Sequence, residues 1–187
     1  MSYGSFLKAE GQQLKIESAI EDIEVKFKAF LSDLSQTFAS NWQTEEVYGR
    51  NDPIATFAST KRTISLAWDV PARNTSEAKV NLENCNKLIS MAYPSYHQGG
   101  HGTMKIIAKN PLVKVHFGNL VCDSKGAPLL GWMDSISWKP ALDMGMFNPS
   151  EGQFYPKVIS LSFNLNVLHQ ESLGQEGATP QKFPFKI

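Results

Sequence analysis

The segment KVISLSFNLNVLH, residues 157 to 169, constrains this chain most: Ile159, Leu161, Phe163, Leu165 and Val167 alternate with Ser160, Ser162, Asn164 and Asn166. Successive side chains on a strand point to opposite faces, so a period of two puts every apolar group on one wall and every polar group on the other. One wall then faces a core and the other faces water or a polar lumen. A chain built around such a strand is an antiparallel β protein.

Other segments repeat the pattern. In KRTISLAWDV, Ile64, Leu66, Trp68 and Val70 share one face while Thr63, Ser65, Ala67 and Asp69 share the other. Pro71 stops that ladder by removing a donor. Val25, Phe27, Ala29 and Leu31 form an earlier strand, and Phe38, Ser40, Trp42 and Thr44 another. SDLSQ between them has the small polar residues of a turn, with one long bent strand as the alternative. Further strands are expected at 104–108, at 113–117, at 120–122 after Gly118, where the alternation changes phase, and at 129–138 after the turn-forming DSKGAP.

One helix interrupts this series. From Asn74 to Ala92, Ala78, Leu82, Cys85, Ile89 and Ala92 recur at spacings of four and three, and Asn74 with Glu77 makes a capping pair. Pro94 closes it, because proline disfavours helical geometry in the residue before it. Many antiparallel strands with one helix, about 74–92, give an α+β, mainly β class: a barrel or sandwich flanked by that helix. The core is expected to include Ile64, Leu66, Trp68, Leu82, Ile89 and Phe163.

A length of 187 residues suits a single domain, 1–187, with polar, glycine-punctuated arms at 1–20 and 170–187. Hydrophobic residues make up 42% and charged residues only 19%, so part of the surface is expected to face other protein. Eighteen basic residues balance 18 acidic ones, which leaves no field to draw nucleic acid or anionic lipid. No run approaches the ~20 apolar residues of a membrane span. Cys85 and Cys122 each lie in an apolar pattern and read as buried thiols.

Chemistry-bearing patterns are sparse. His97 and His101 are four apart, but three glycines between 99 and 102 oppose the helix that would bring them to one metal. The acids Glu17, Glu21, Asp22 and Glu24 have nothing apolar beside them to raise one pKa selectively, so they read as a solvated patch. Trp68, Trp132 and Trp138 could stack a sugar; six apart on a strand, Trp132 and Trp138 are expected on one face, as packing. No nucleophile elbow and no phosphate-cradling loop occurs. No enzyme, cofactor or metal is expected.

The stretch EEVYGRNDPI at 45–54 has Gly49 for a tight bend and Pro53 to fix the chain leaving it, with Tyr48 able to pack its ring and Arg50 and Asp52 two apart. VYGRNDPI at 47–54, TKRTISLAWDVPA at 60–72, LISMAYPSY at 88–96, VKVHFGNLV at 113–121 and VISLSFNLNVLH at 158–169 together resemble the tube-initiator baseplate proteins of contractile-tailed bacteriophages. The resemblance implies a tail-tube fold of two packed antiparallel sheets, six copies forming a ring around a channel. It also implies a role in joining the central hub to the tail tube and seeding tube polymerisation, within a virion assembled in the host cytoplasm. The implied partners are other copies of this chain, a hub protein, and the tube protein or a second initiator ring. Tape-measure, wedge or sheath proteins are further candidates, and the genome would pass without sequence-specific binding. Within that reading Tyr48, Arg50 and Asp52 brace the corner or a subunit boundary. The alternatives are a major tube protein, or a soluble β-barrel that binds a small molecule or glycan.

Overall fold

In a computed structural model, the structure describes residues 13–28, 30–98, 105–150, 152–170, 175–176 and 179–180. The elements in chain order are β1 (Leu14–Ser18), β2 (Glu24–Phe27), β3 (Phe30–Glu45), β4 (Ile54–Pro71), α1 (Thr75–Ser90), β5 (Ser95–Gln98), β6 (Lys105–Lys109) and β7 (Val113–His116). They continue with β8 (Leu129–Pro140), a 3-10 turn at Leu142–Met144, β9 (Met146–Ser150), β10 (Gln153–Pro156), β11 (Val158–Val167), β12 (Gln175–Glu176) and β13 (Thr179–Pro180). Among the described residues the chain is mainly β with one flanking helix.

Seven strands form one antiparallel sheet in the order β2-β1-β7-β8-β11-β4-β3, and β5–β6, β9–β10 and β12–β13 are small hairpins. β11 pairs with β4 from Val158↔Pro71 to Asn166↔Thr63, which sets Phe163 beside Leu66 and Leu161 beside Trp68 on the apolar wall. Ile64, Leu66, Trp68 and Phe163 are buried there, with Leu14 and Ile16 of β1, Val25 and Phe27 of β2 and Val113 and Val115 of β7. Phe27 and Trp68 touch, although five strand spacings separate β2 from β4. The two layers that face each other across the core are therefore the two halves of one curled sheet.

β1 falls within the stretch expected to be an arm, 1–20. Only Leu14 and Ile16 alternate there, flanked by polar residues, and that is too short a pattern to stand out. SDLSQ is not a turn. It lies inside β3, where a register shift between Leu31 and Asp33 adds a residue and lets both Leu31 and Leu34 pack against the core.

α1 begins as its sequence predicts: Asn74 is extended (φ −145°), and its side-chain oxygen accepts a hydrogen bond from the Glu77 N–H at 2.8 Å. The Glu77 carboxylate reaches back one residue further than expected, to the Arg73 N–H at 2.9 Å. The helix packs on β2 and the β9–β10 hairpin. Ala78, Cys85 and Leu88 are buried and Leu82 is half-buried against the core. Ile89 is only half-buried, so the apolar stripe turns onto Leu88 at the last turn and Met91 follows it into the core.

Candidate functional site

β4 has 18 residues, but β11 flanks it only from Pro71 back to Thr63. Among the described residues, the β3–β4 pair continues alone beyond Arg62, through Ser40↔Thr60 and Trp42↔Phe57 to Glu45↔Ile54, as a two-stranded ribbon about 20 Å long. The strand alternation carries the core-facing wall out with it. Leu34 and Ile64 lie on that wall inside the body, and Phe38, Trp42 and Phe57 lie on its extension. A second register shift, between Asn41 and Trp42, keeps Trp42 opposite Phe57. Their rings meet edge to face at 5.4 Å, yet Trp42 is 58% and Phe57 51% exposed.

The base of the ribbon is polar and closed. Arg62, 1% exposed, donates from Nε at 3.1 Å and Nη2 at 2.7 Å to the side-chain oxygen of Gln36 and sits over the Phe38 ring at 5.5 Å. Gln36 Nε2 in turn donates to the Leu120 carbonyl at 2.9 Å, in the tight turn that follows β7. Burial lowers the Arg62 pKa, and burial together with the nearby Arg62 charge holds His169 below its ordinary value.

At the tip, Gly49 takes φ +85° and the Arg50 N–H closes the turn on the Val47 carbonyl at 3.2 Å. Tyr48 does not pack its ring; it stands fully exposed, because the turn projects it away from both strands. Arg50 and Asp52 are exposed beside it. Among the described residues the ion pairs lie elsewhere, joining Lys15 to Glu17 and Glu24, and Lys26 to Glu24. That accounts for two of the four acids, Glu17 and Glu24: the hydrogen bond from Lys26 holds the Glu24 carboxyl down, and Lys15 is raised chiefly by its bond to Glu17.

A second exposed apolar patch lies at the other end of the β4–β11 ladder, about 27 Å away. There β8 ends at Pro140 opposite Ile159, and Leu142, Met144, Met146 and Phe154 are exposed around the following turn and hairpin.

The outer wall of the sheet is polar and self-satisfied. Ser160 donates to Asp69 at 2.6 Å, Ser65 to Asn164 at 2.7 Å and Thr63 to Asn166 at 3.2 Å, each between residues directly opposite on β4 and β11. Trp132 joins this wall and Trp138 the other. Ser135, at φ +56°, makes a bulge in β8, so Trp132 stands opposite Asn166 while Trp138 stands opposite Leu161. The shared face expected from their spacing of six is thus broken, and the two rings form no common platform. His97 lies on β5, and His101 falls outside the described residues. Among the described residues no three His, Cys, Asp or Glu converge as metal ligands, and no helix is long and apolar enough to cross a membrane.

Sequence reasoning placed Phe38 and Trp42 on one strand face but missed that both stand exposed among the described residues. The available signal was Ser40 and Thr44, which alternate with Phe38 and Trp42 along the same face and are too small and polar for a core. No family model matches this chain, and no curated protein matches it. Among solved structures, a chain of the anti-feeding prophage baseplate, determined by cryo-electron microscopy with six-fold symmetrisation, is similar at a TM-score of 0.32 and 10% identity. The alignment covers 86% of this chain and 91% of that one. A likeness of that degree decides neither fold nor function.

Proposed function

We propose that this chain is a structural, non-catalytic subunit of a contractile-tail baseplate, which forms a ring that joins the central hub to the tail tube and starts tube growth. The observation that carries the reading is the ribbon, whose aromatic face continues the core wall past the body with Trp42 and Phe57 more than half exposed among the described residues. Two-stranded ribbons are marginal in water by themselves, and exposed aromatic patches of this kind mark surfaces that another protein covers. Aromatic side chains are also the residues that concentrate binding energy at such surfaces.

The second patch, around Leu142 and Phe154, lies at the opposite end of the ladder. A subunit with unlike apolar surfaces at two ends makes heterologous contacts, and these generate rings or stacks. The hydrogen-bonded Ser, Thr, Asn and Asp69 side chains of the outer wall suit a water-filled bore, since they are already paired with one another across β4 and β11. The specific role rests on the resemblance of the sequence motifs to tube initiators. The test is electron microscopy of the purified protein, alone and with its hub partner. Six-fold rings with a central hole support the reading, and a monomer under both conditions contradicts it.

A further inference from the structure

We propose that Gln36 is a positioning residue: held between Arg62 and Leu120, it fixes the direction in which the ribbon leaves the body. The need arises at one level of the sheet. β11 last flanks β4 at Thr63↔Asn166, and among the described residues the ribbon has only its own two strands from Arg62 outward. A two-stranded ribbon twists strongly and does not hold one direction unaided.

Gln36 is placed to stop that movement. It lies on β3, four strands from β7 in the sheet order, yet its Nε2 reaches the Leu120 carbonyl just beyond β7 at 2.9 Å. That bond crosses the mouth of the curled sheet. The other end of the same amide accepts two N–H groups of Arg62 at 3.1 and 2.7 Å, and the guanidinium lies over Phe38, the first aromatic of the ribbon. One amide therefore ties both ribbon strands to the opposite half of the sheet. A planar guanidinium suits this task better than an ammonium, because two N–H groups in a fixed plane converging on one oxygen set orientation as well as distance. With its base fixed, the ribbon presents Trp42 and Phe57 at a set angle, which is the use the clasp has if the ribbon docks on a neighbour.

The test uses the full-length chain as a monomer, so its outcome is separate from that of ring assembly. Cys85 and Cys122 are buried, so spin labels go to introduced cysteines at exposed sites. A ribbon pair is Tyr48→Cys with Lys79→Cys, and a body pair is Lys114→Cys with Lys79→Cys. Double electron–electron resonance should give narrow distances for both pairs in the parent.

Gln36→Glu keeps the acceptor for Arg62 but turns an oxygen toward the Leu120 carbonyl. It should widen the ribbon distribution by roughly twofold or more while the body pair stays narrow. Arg62→Met should widen it at least as much. Should Arg62→Met widen the body pair too, that variant reports unfolding and Gln36→Glu decides by itself. A ribbon distribution of unchanged width in Gln36→Glu overturns the proposal.

Discussion

Phe27 and Trp68 meet with ring centroids 5.5 Å apart, although in a flat sheet β2 and β4 would stand about 24 Å apart. Trp68 also meets Phe163 edge to face at 5.6 Å, so one indole joins both halves of the curled sheet. Trp68→Ala should cost about 3–5 kcal/mol in urea unfolding. Trp68→Phe should cost less than half of that, because the buried Nε1 has no acceptor among the described residues and its removal offsets part of the lost packing.

Two glycines should respond differently to the same methyl group. A Cβ on Gly131 would lie 2.3 Å from the Asn166 backbone oxygen and 3.0 Å from Leu165 Cδ1, so Gly131→Ala must push β8 off β11. The expected loss is about 2–3 kcal/mol, as for other overpacked cores. At Gly49 a Cβ meets nothing within 4 Å, and the cost comes only from φ +85°. Gly49→Ala should lower stability by about 1–2 kcal/mol at most, confined to the tip. Hydrogen exchange by residue would show whether the body stays protected.

Cys85 carries a pH signature. Burial pushes its thiol up from the ordinary 9.0 to about 11, with the Trp138 indole offsetting a little of that. The folded chain keeps the thiol protonated while an unfolded chain ionises above 9.0, so this contribution is complete below 9.0 and is lost as pH rises towards about 11. Denaturant midpoints across that window should fall more steeply for the parent than for Cys85→Ala. Equal slopes would show that the thiol is not held protonated.

At the ribbon tip, charge should matter to partners and not to folding. Arg50 is exposed, with Glu45, Glu46 and Asp52 nearby in sequence. Arg50→Glu should leave the unfolding free energy within about 0.5 kcal/mol, as surface changes do. It should reduce ring yield, measured by mass photometry at matched concentration. Normal ring yield would remove Arg50 from the interface.

Much of the fold is written in local periodicity. β4 and β11 alternate so cleanly that their apolar walls can be read residue by residue, and Asn74 marks the start of α1 by the chemistry of its cap. What could not be read depends on a single inserted residue or on a neighbour. The bulge at Ser135 separates Trp132 from Trp138, and at SDLSQ, where the residues fit either a turn or one long bent strand, the structure has the strand, with a bulge beside Ser32. Such insertions leave composition unchanged while exchanging the faces of everything beyond them. Ile89 and Leu88 differ by one helical position, and the underlying sheet decides which is covered. The ribbon shows the same limit: alternation sets Phe38 and Trp42 on one face, but where β11 ends decides how far the sheet flanks that face.

The most direct test of the central claim replaces Trp42 and Phe57 together with serine. Both side chains are half-exposed, on a ribbon outside the body core, so the variant should keep the parent's near-ultraviolet signal from Trp68 and nearly its unfolding midpoint. With its hub partner present, the parent should form six-fold rings under the electron microscope and the double variant should not. Rings of normal yield and diameter from the double variant would contradict the account.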